Sequence, residues 1–533
     1  MSDGARAEAS SEAGGADLGS APALGRRRAS VFVASIFVAG LCSLVYELLI
    51  GTTSAYFLGD SIKQFSITIG LYMAAMGMGS FVSRLINGSV MAWFVGVELA
   101  LGIIGGLSVP LLYLVYAYTD LYGVFVTILI SLVGLLTGLE IPLIARALKD
   151  HFTLEVNLSN VLSLDYFGAL AATLLFPFVL LPELGTFRSA LAVGLLNLLV
   201  AFLVVQAFPE RMSRKARSGF QMALALSCVG LIGGLIFAEH LLKPWHDALY
   251  EDRVALVKQT PYQKIVVTRN KHDTRLFLNG HLQFAATDEY RYHEALVHPV
   301  MSAAGTPANV LMLGGGDGLA VREVLKHPGV ESVVLVDLDP AITELARAHP
   351  LFTQLNLKSL DDPRVEVRNE DAFAFLDQTD RRFDAIIADL PDPNNASLAR
   401  LYSREFYRLL SGRLSAKGVL VTQATSPYFA KEAFWCVVET MGAAGLTVRP
   451  YHVQVPSFGG DWGFVLAGQG LDAPRQLEPT RLAVSVPTRF LETEMIPHLF
   501  YFPPDIRADH IQHSTLDRPQ VLSYYLNGWK RWN

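Results

Sequence analysis

The stretch from Val310 to Asp339, VLMLGGGDGLAVREVLKHPGVESVVLVDLD, constrains the fold more than any other part of the chain. An apolar run ends in Gly314-Gly315-Gly316-Asp317-Gly318, a helical pattern follows, and a second apolar run ends in Asp337-Leu338-Asp339. Strand, glycine turn, helix and strand in this order form one half of a doubly wound nucleotide-binding sheet, with an acid placed for a ribose. Side chains at the glycines would hold the backbone away from a ligand. Asp317 bears on which ligand. Its carboxylate would repel a pyrophosphate at a helix N-terminus but suits a cation, such as an adenosine carrying a sulfonium and an amine. Asp317 as a cap for the helix that begins near Leu319 is an equally good local reading.

A soluble sheet domain does not account for the whole chain. Of 533 residues, 51% are hydrophobic and 17% charged, and most of the apolar excess lies before residue 240. Residues 1–30 read as a disordered tail closed by Arg26, Arg27 and Arg28. Seven apolar stretches of membrane-spanning length follow, near 31–51, 65–86, 91–117, 122–145, 161–182, 187–208 and 219–238, so 31–238 reads as a multi-pass helical membrane bundle. Close-spaced small residues such as Gly70, Ala74, Gly77 and Ser80 suit helix packing in lipid. Glu47, Glu98, Glu140 and Asp165 sit in or near these spans. They mark a cation path, with Glu140 beside Pro142 the best candidate, or else interfacial or interhelical hydrogen-bonded acids.

Basic clusters at Arg26–Arg28, at Arg146 with Lys149, and at Arg211, Arg214, Lys215 and Arg217 fall on alternate connections, which places the N-terminus inside. Seven spans would then put the C-terminal domain outside, whereas the chemistry of a cytosolic adenosyl cofactor favours a cytoplasmic domain at the inner membrane. The net charge of -6 gives no broad basic surface, which argues against nucleic-acid binding. Cys42, Cys228 and Cys436 are widely separated and form no metal spacing.

From about 239 the composition becomes that of a soluble protein. Residues 239–300 read as a linker and a small β domain, with Ala255–Thr268 and Thr274–Phe284 extended and Asn279-Gly280 a two-residue hairpin turn. Strands and helices then alternate over 301–475, which implies a Rossmann-like, mostly parallel sheet covered on both faces. Residues 476–533 form a C-terminal extension. Asp317, Asp337, Asp371 and Asp389 each close a predicted strand, on the edge where such sheets bind ligands. Asp337 is placed for ribose hydroxyls, and Asp371 with the Ala372 backbone for an adenine, which leaves Asp317, Asp389 and Asp392 around the reacting end. A carboxylate there can take the proton that an alkylammonium must lose before it attacks carbon, and others can hold distant ammonium groups. Asp392 before Pro393 also reads as a turn residue, and His293 as a core or helix-start histidine. Trp462 reads as packing beneath the sheet.

LMLGGGDGLAVREVLKHPGVESVVLVDLDP, the upstream YQKIVV and LFLNGHLQFAATDEYRYHEALVHP, and the downstream FDAIIADLPDP with SREFYRLL resemble the polyamine aminopropyltransferases, specifically spermidine synthase. The resemblance runs from about 250 to 470, and the preceding bundle looks like the membrane-associated bacterial subgroup. It implies aminopropyl transfer from decarboxylated S-adenosylmethionine, a co-substrate, to putrescine, with no permanently bound cofactor and no metal. By motif, Asp389 would be the proton acceptor and Asp392, Asp317 and His293 would bind the amine-bearing chains, with Tyr292 and Glu294 weaker candidates. Gln263, Asp337, Asp371, Ala372 and the Gly314–Gly316 turn would hold the donor. The family's habit implies a homo-oligomer. Asp337 stands where the family has a glutamate, and Asn394, Asn395 and Ala396 replace its Gly-Pro after DLPDP, which bears on acceptor choice. A methyltransferase, or a membrane polyamine sensor or transporter with a binding-only soluble domain, are the alternatives.

Overall fold

The computed structural model describes residues 26–58, 61–148, 154–238, 240–241, 245, 250, 252–271 and 273–532. Residues 1–25 of the expected tail and most of the expected linker lie outside them. Arg26–Arg28, expected in the tail, instead open the first helix, α1 (Arg26–Leu58). Arginine is a good helix former, and Arg28 is held by Glu210 at 2.7 Å.

Seven further helices build the bundle: α2 (Ser61–Ser83), α3 (Val90–Gly106), α4 (Ser108–Tyr118), α5 (Tyr122–Leu148), α6 (Leu154–Leu175), α7 (Gly185–Ala207) and α8 (Arg214–Ile236). By length and composition, five stretches among the described residues suffice to cross a membrane, or six if α3 and α4, bent by 41°, count as one span. The expected run 91–117 is thus broken, just ahead of Pro110, which has no N–H to give the helical ladder. The expected 161–182, and 187–208 but for its last residue, fall within one apolar stretch of 50 residues, Leu158–Ala207. Inside it the chain bends back sharply. Gly185 takes φ 69°, and Ser189 Oγ donates to the Leu180 carbonyl at 2.9 Å, although nine residues of straight helix span about 13 Å. Small residues let the helices close up: a Cβ on Gly79 would lie 2.1 Å from the Leu135 carbonyl oxygen.

The two ends of the bundle differ. At one, Ser89 of the α2–α3 turn donates to the Arg211 carbonyl at 2.8 Å, and Arg146 donates to the carbonyls of Ser83 and Ile86 at 2.9 Å each. The other is aromatic: Phe57 packs on Tyr113, Tyr116 and Tyr122 with ring centres 4.9, 4.1 and 5.5 Å away. The soluble region meets this aromatic end, where the Tyr56 and Tyr250 hydroxyls lie 3.3 Å apart.

The soluble region opens with an antiparallel sheet in the order β1 (Arg253–Gln259), β2 (Lys264–Asn270), β3 (Asp273–Leu278) and β4 (His281–Ala285). Asn279 and Gly280 join β3 to β4 with φ of 50° and 84°, the pairing of positive angles that a two-residue turn demands. Ile265, Val267, Leu276 and Phe284 of this sheet pack against Leu319, Ile342 and Phe352.

The second sheet has seven strands: β5 (Asn309–Gly314), β6 (Ser332–Val336), β7 (Val365–Arg368), β8 (Phe383–Asp389), β9 (Leu414–Gln423), β10 (Thr447–Val455) and β11 (Gly460–Gly468), in the order β10-β11-β9-β8-β5-β6-β7. The five strands β5–β9 pair in parallel, and β11 and β10 complete the edge antiparallel. Alternation divides β5 between two cores, Leu311 and Leu313 into one and Val310 and Met312 into the other, as a sheet covered on both faces requires. The strand order reverses between β5 and β8, and this opens a crevice at their carboxyl ends.

Candidate active site

A cavity of about 630 Å³ occupies that crevice. The turn after β5 forms its floor. Gly314 takes φ 75° against the Asp389 backbone, where a Cβ would sit 2.0 Å from the carbonyl oxygen, and a Cβ on Gly316 would lie 2.5 Å from Asp337 Oδ2. Gly316 N instead donates to that oxygen at 3.0 Å. The strand ends bring Asp317, Asp337, Asp389 and Asp392 to the wall, with Gly315 beside them. Asp371 and Ala372 line the same space at the start of a helix (Ala372–Gln378), where Asp371 accepts from Ala374 N at 3.1 Å and is paired with Arg400.

Helix α9 (Glu289–Ala304) supplies the opposite wall through Tyr292 and His293. The Tyr292 hydroxyl donates to Asp389 Oδ1 at 2.6 Å. His293 Nδ1 lies 2.8 Å from Glu289 Oε2, and Glu289 is held in turn by Arg322 at 2.9 Å. Asp317 accepts from Leu319 N at 2.9 Å while lining the cavity, so its capping role and its place in the site are both realised. Asp392 accepts from Gln423 Nε2 and Thr425 Oγ1, each at 3.2 Å. Gln263 reaches the cavity from just before β2 and donates to Asp339 Oδ2 at 3.0 Å.

Burial raises the Asp317, Asp337 and Asp392 carboxyls to about 6 each and also raises Asp389, which the Tyr292 hydrogen bond and nearby His293 partly counter. Burial alone would lower His293, but the Glu289 carboxylate outweighs it and brings the imidazole up to about 8. A crowded set of acids, each reluctant to ionise alone, matches a polycationic ligand: an ammonium entering among them offsets their repulsion.

All twelve cavity residues expected from the sequence line this one space. Glu294 does not. It is fully buried on the far side of α9 and accepts from the backbone N–H groups of Arg489, Phe490 and Leu491 at 2.7, 2.9 and 2.9 Å. Its neighbours face the cavity because helix geometry turns the next residue by about 100°. Trp462 packs against the core as expected and, with Phe458 4.6 Å away between ring centres, also lines the cavity, because antiparallel β11 presents it at the crevice. Sequence reasoning also missed Asp339, Gln423, Arg400 and, from α2, Ile62. Asp339 carried a visible signal, since Asp-Pro opens a helix (Pro340–Ala348) that it caps through Ala341 N at 3.0 Å. Asn395 caps a short helix (Ala396–Ala399), and with Asn394 and Ala396 it forms a cavity rim.

The Spermine/spermidine synthase domain family matches residues 289–474. A polyamine aminopropyltransferase of Leptospira interrogans is 43% identical, over 93% of this chain and 98% of its own length. Polyamine aminopropyltransferase 2 of Ralstonia nicotianae is also 43% identical, over 94% and 98%. The chain belongs to the polyamine aminopropyltransferase family. Matches of this length take in the helical bundle as well as the soluble region. The crystal structure of spermidine synthase from Thermotoga maritima is 27% identical, covers 47% of this chain and 85% of its own, and superposes with a TM-score of 0.43. As a polyamine aminopropyltransferase, the protein is an enzyme that transfers an aminopropyl group, which sets aside the methyltransferase reading.

Proposed function

We infer that the protein transfers the aminopropyl group of decarboxylated S-adenosylmethionine to putrescine, giving spermidine and methylthioadenosine. The observation that carries this reading is Asp389 at the end of β8, bonded to Tyr292 and facing the same cavity as Asp317, Asp392 and His293. The amine nitrogen attacks the aminopropyl carbon next to sulfur, the carbon–sulfur bond breaks, and its electrons convert the sulfonium to a neutral thioether that needs no acid. Asp389 accepts the proton that the amine gives up, and a carboxylate raised by burial suits that task. Asp392 holds an ammonium of the diamine, and His293 lines the wall beside it. Gln263, Asp337, Asp371, Ala372 and Gly314–Gly316 hold the donor, and Asp317 takes its terminal ammonium. That carboxylate also disfavours S-adenosylmethionine itself, whose own carboxylate would face it.

Mass analysis after incubation with decarboxylated S-adenosylmethionine and putrescine tests the reading. Spermidine with equimolar methylthioadenosine is expected, and donor consumption without an aminopropylated amine would overturn it.

The bundle supports a multi-pass protein of the cell membrane. The stretch bent at Gly185 supplies two crossings and the α3–α4 pair one, which brings the count to seven. We place the catalytic region on the cytoplasmic side, where the adenosyl donor is at hand. The basic clusters lie at the bundle end remote from it, an arrangement that favours the opposite side by the positive-inside rule. C-terminal fusions decide: fluorescence of a green fluorescent protein fusion supports the cytoplasmic side, and activity of an alkaline phosphatase fusion sinks it.

A further inference from the structure

Gln263 and Lys264 are neighbours at the start of β2, and successive strand residues point to opposite sides. Gln263 faces the cavity, and Lys264 faces the bundle. Its ammonium lies 4.7 Å from the ring centre of Tyr56 in α1 and 5.5 Å from that of Tyr113 in α4, and the residue is 7% exposed. A buried ammonium is costly without compensation, and the electron-rich ring faces contribute to it. The rings are themselves braced, since Phe57 packs edge-on against both Tyr56 and Tyr113.

The segment that carries Gln263 is fastened from the cavity side as well. Thr260 Oγ1 and Gln263 Nε2 both donate to Asp339 Oδ2, at 2.8 and 3.0 Å. Lys264 exchanges two hydrogen bonds with Asn279 of the hairpin turn, each 2.9 Å. Residues 260–264 therefore lie between Asp339 on one side and the aromatic end of the bundle on the other. A second contact reaches the same place, because Ile62, in the first turn of α2, lines the cavity beside Tyr262 and Gln263. A membrane tether alone would need neither contact.

We propose that the helical bundle is a working part of the donor site: Lys264, seated against Tyr56 and Tyr113, fixes the segment that presents Gln263 and is a positioning residue for donor binding. The proposal rests on the reading of Gln263 as a donor contact. Removing the ammonium frees one side of the segment while leaving Asp389, Asp392 and the acceptor wall untouched, so the effect falls on one substrate.

The test uses the full-length protein in lipid nanodiscs. Lys264→Met keeps the length of the stem and removes the charge. It is expected to raise the donor KM about tenfold, with kcat and the putrescine KM within about twofold of wild type. Lys264→Arg, which also stacks on rings, should restore the donor KM. Tyr56→Leu should reproduce part of the defect, since Tyr113 remains, and should add nothing to the donor KM of Lys264→Met, which has already lost both ring contacts. Gln263→Ala is the reference. If it raises the donor KM while Lys264→Met does not, the coupling is overturned and the donor site stands. If neither does, the donor reading of Gln263 falls with it. A drop in kcat with equal change in both KM values would show a merely structural residue and would also overturn the proposal.

Discussion

Two sets of buried acids sit in this molecule, and they are treated differently. In the bundle, Glu98 and Glu140 are 0% and 3% exposed and enclosed by side chains. Glu98 takes the amide of Asn197 at 2.7 Å, and Asn197 is itself bonded by the Tyr46 hydroxyl at 2.8 Å, a chain of polar groups that ties α1, α7 and α3 together. At the carboxyl edge of the sheet, Asp317 is 9% exposed and Asp337, Asp389 and Asp392 are half-buried, and all four border about 630 Å³ of open space. Burial alone does not make an acid functional. What separates the sets is room for a cation to enter, and only the second set has a motif-bearing turn and helix built around that room.

The largest expected effect breaks the cavity set at its base. Asp389→Asn keeps shape and hydrogen-bonding reach but cannot take a proton, so kcat for methylthioadenosine release should fall by about 10³-fold while donor binding by calorimetry persists. Turnover within tenfold of wild type would remove Asp389 from its role.

Next in size is Asp317→Asn, which should weaken donor binding by about tenfold or more through loss of a buried charge partner for the ammonium. The same change has an opposite effect on the empty protein. The Asp317 carboxyl is raised to about 6, above its unfolded value, so its favourable contribution belongs to low pH and is lost as pH rises through 6. The asparagine variant should melt higher than wild type at pH 8, with the gap closing towards about pH 4. A lower melting temperature at pH 8 would show that the acid is stabilising in its own right.

The pH profile sharpens the same point. With Asp317 and Asp392 both near 6 and Asp389 also raised, kcat/KM should decline as pH drops through about 6, by roughly tenfold per unit once one group must be ionised. A flat profile to pH 5 would contradict it. The smallest effect is expected in the bundle: Glu140→Gln should leave aminopropyl transfer within about twofold. A large loss there would erase the distinction between the two sets and revive a cation path through the helices.

The cavity was readable in advance because its parts are local. A glycine turn, acids at strand ends and a Tyr-His pair one helix turn into α9 all declare themselves within short windows, and the sheet brings strand ends together by rule. What escaped depends on distant partners. Ile62 reaches the cavity from the far side of the sequence, and Trp462 faces it because β11 runs antiparallel beside β9. Glu294 looked like a site residue by adjacency, and only the packing of 489–491 reveals its real partners. The sharp bend at Gly185 divides one continuous apolar stretch, and composition alone does not show the backbone turn that makes it.

The three backbone bonds to Glu294 have a practical side. The family match ends at residue 474, which invites a shortened protein that stops at the last strand. Such a protein would lose the partners of a carboxylate that is wholly enclosed, on the very helix whose next face carries Tyr292 and His293. The tail beyond the sheet is in this sense a plug, and cutting it would loosen the catalytic wall from behind.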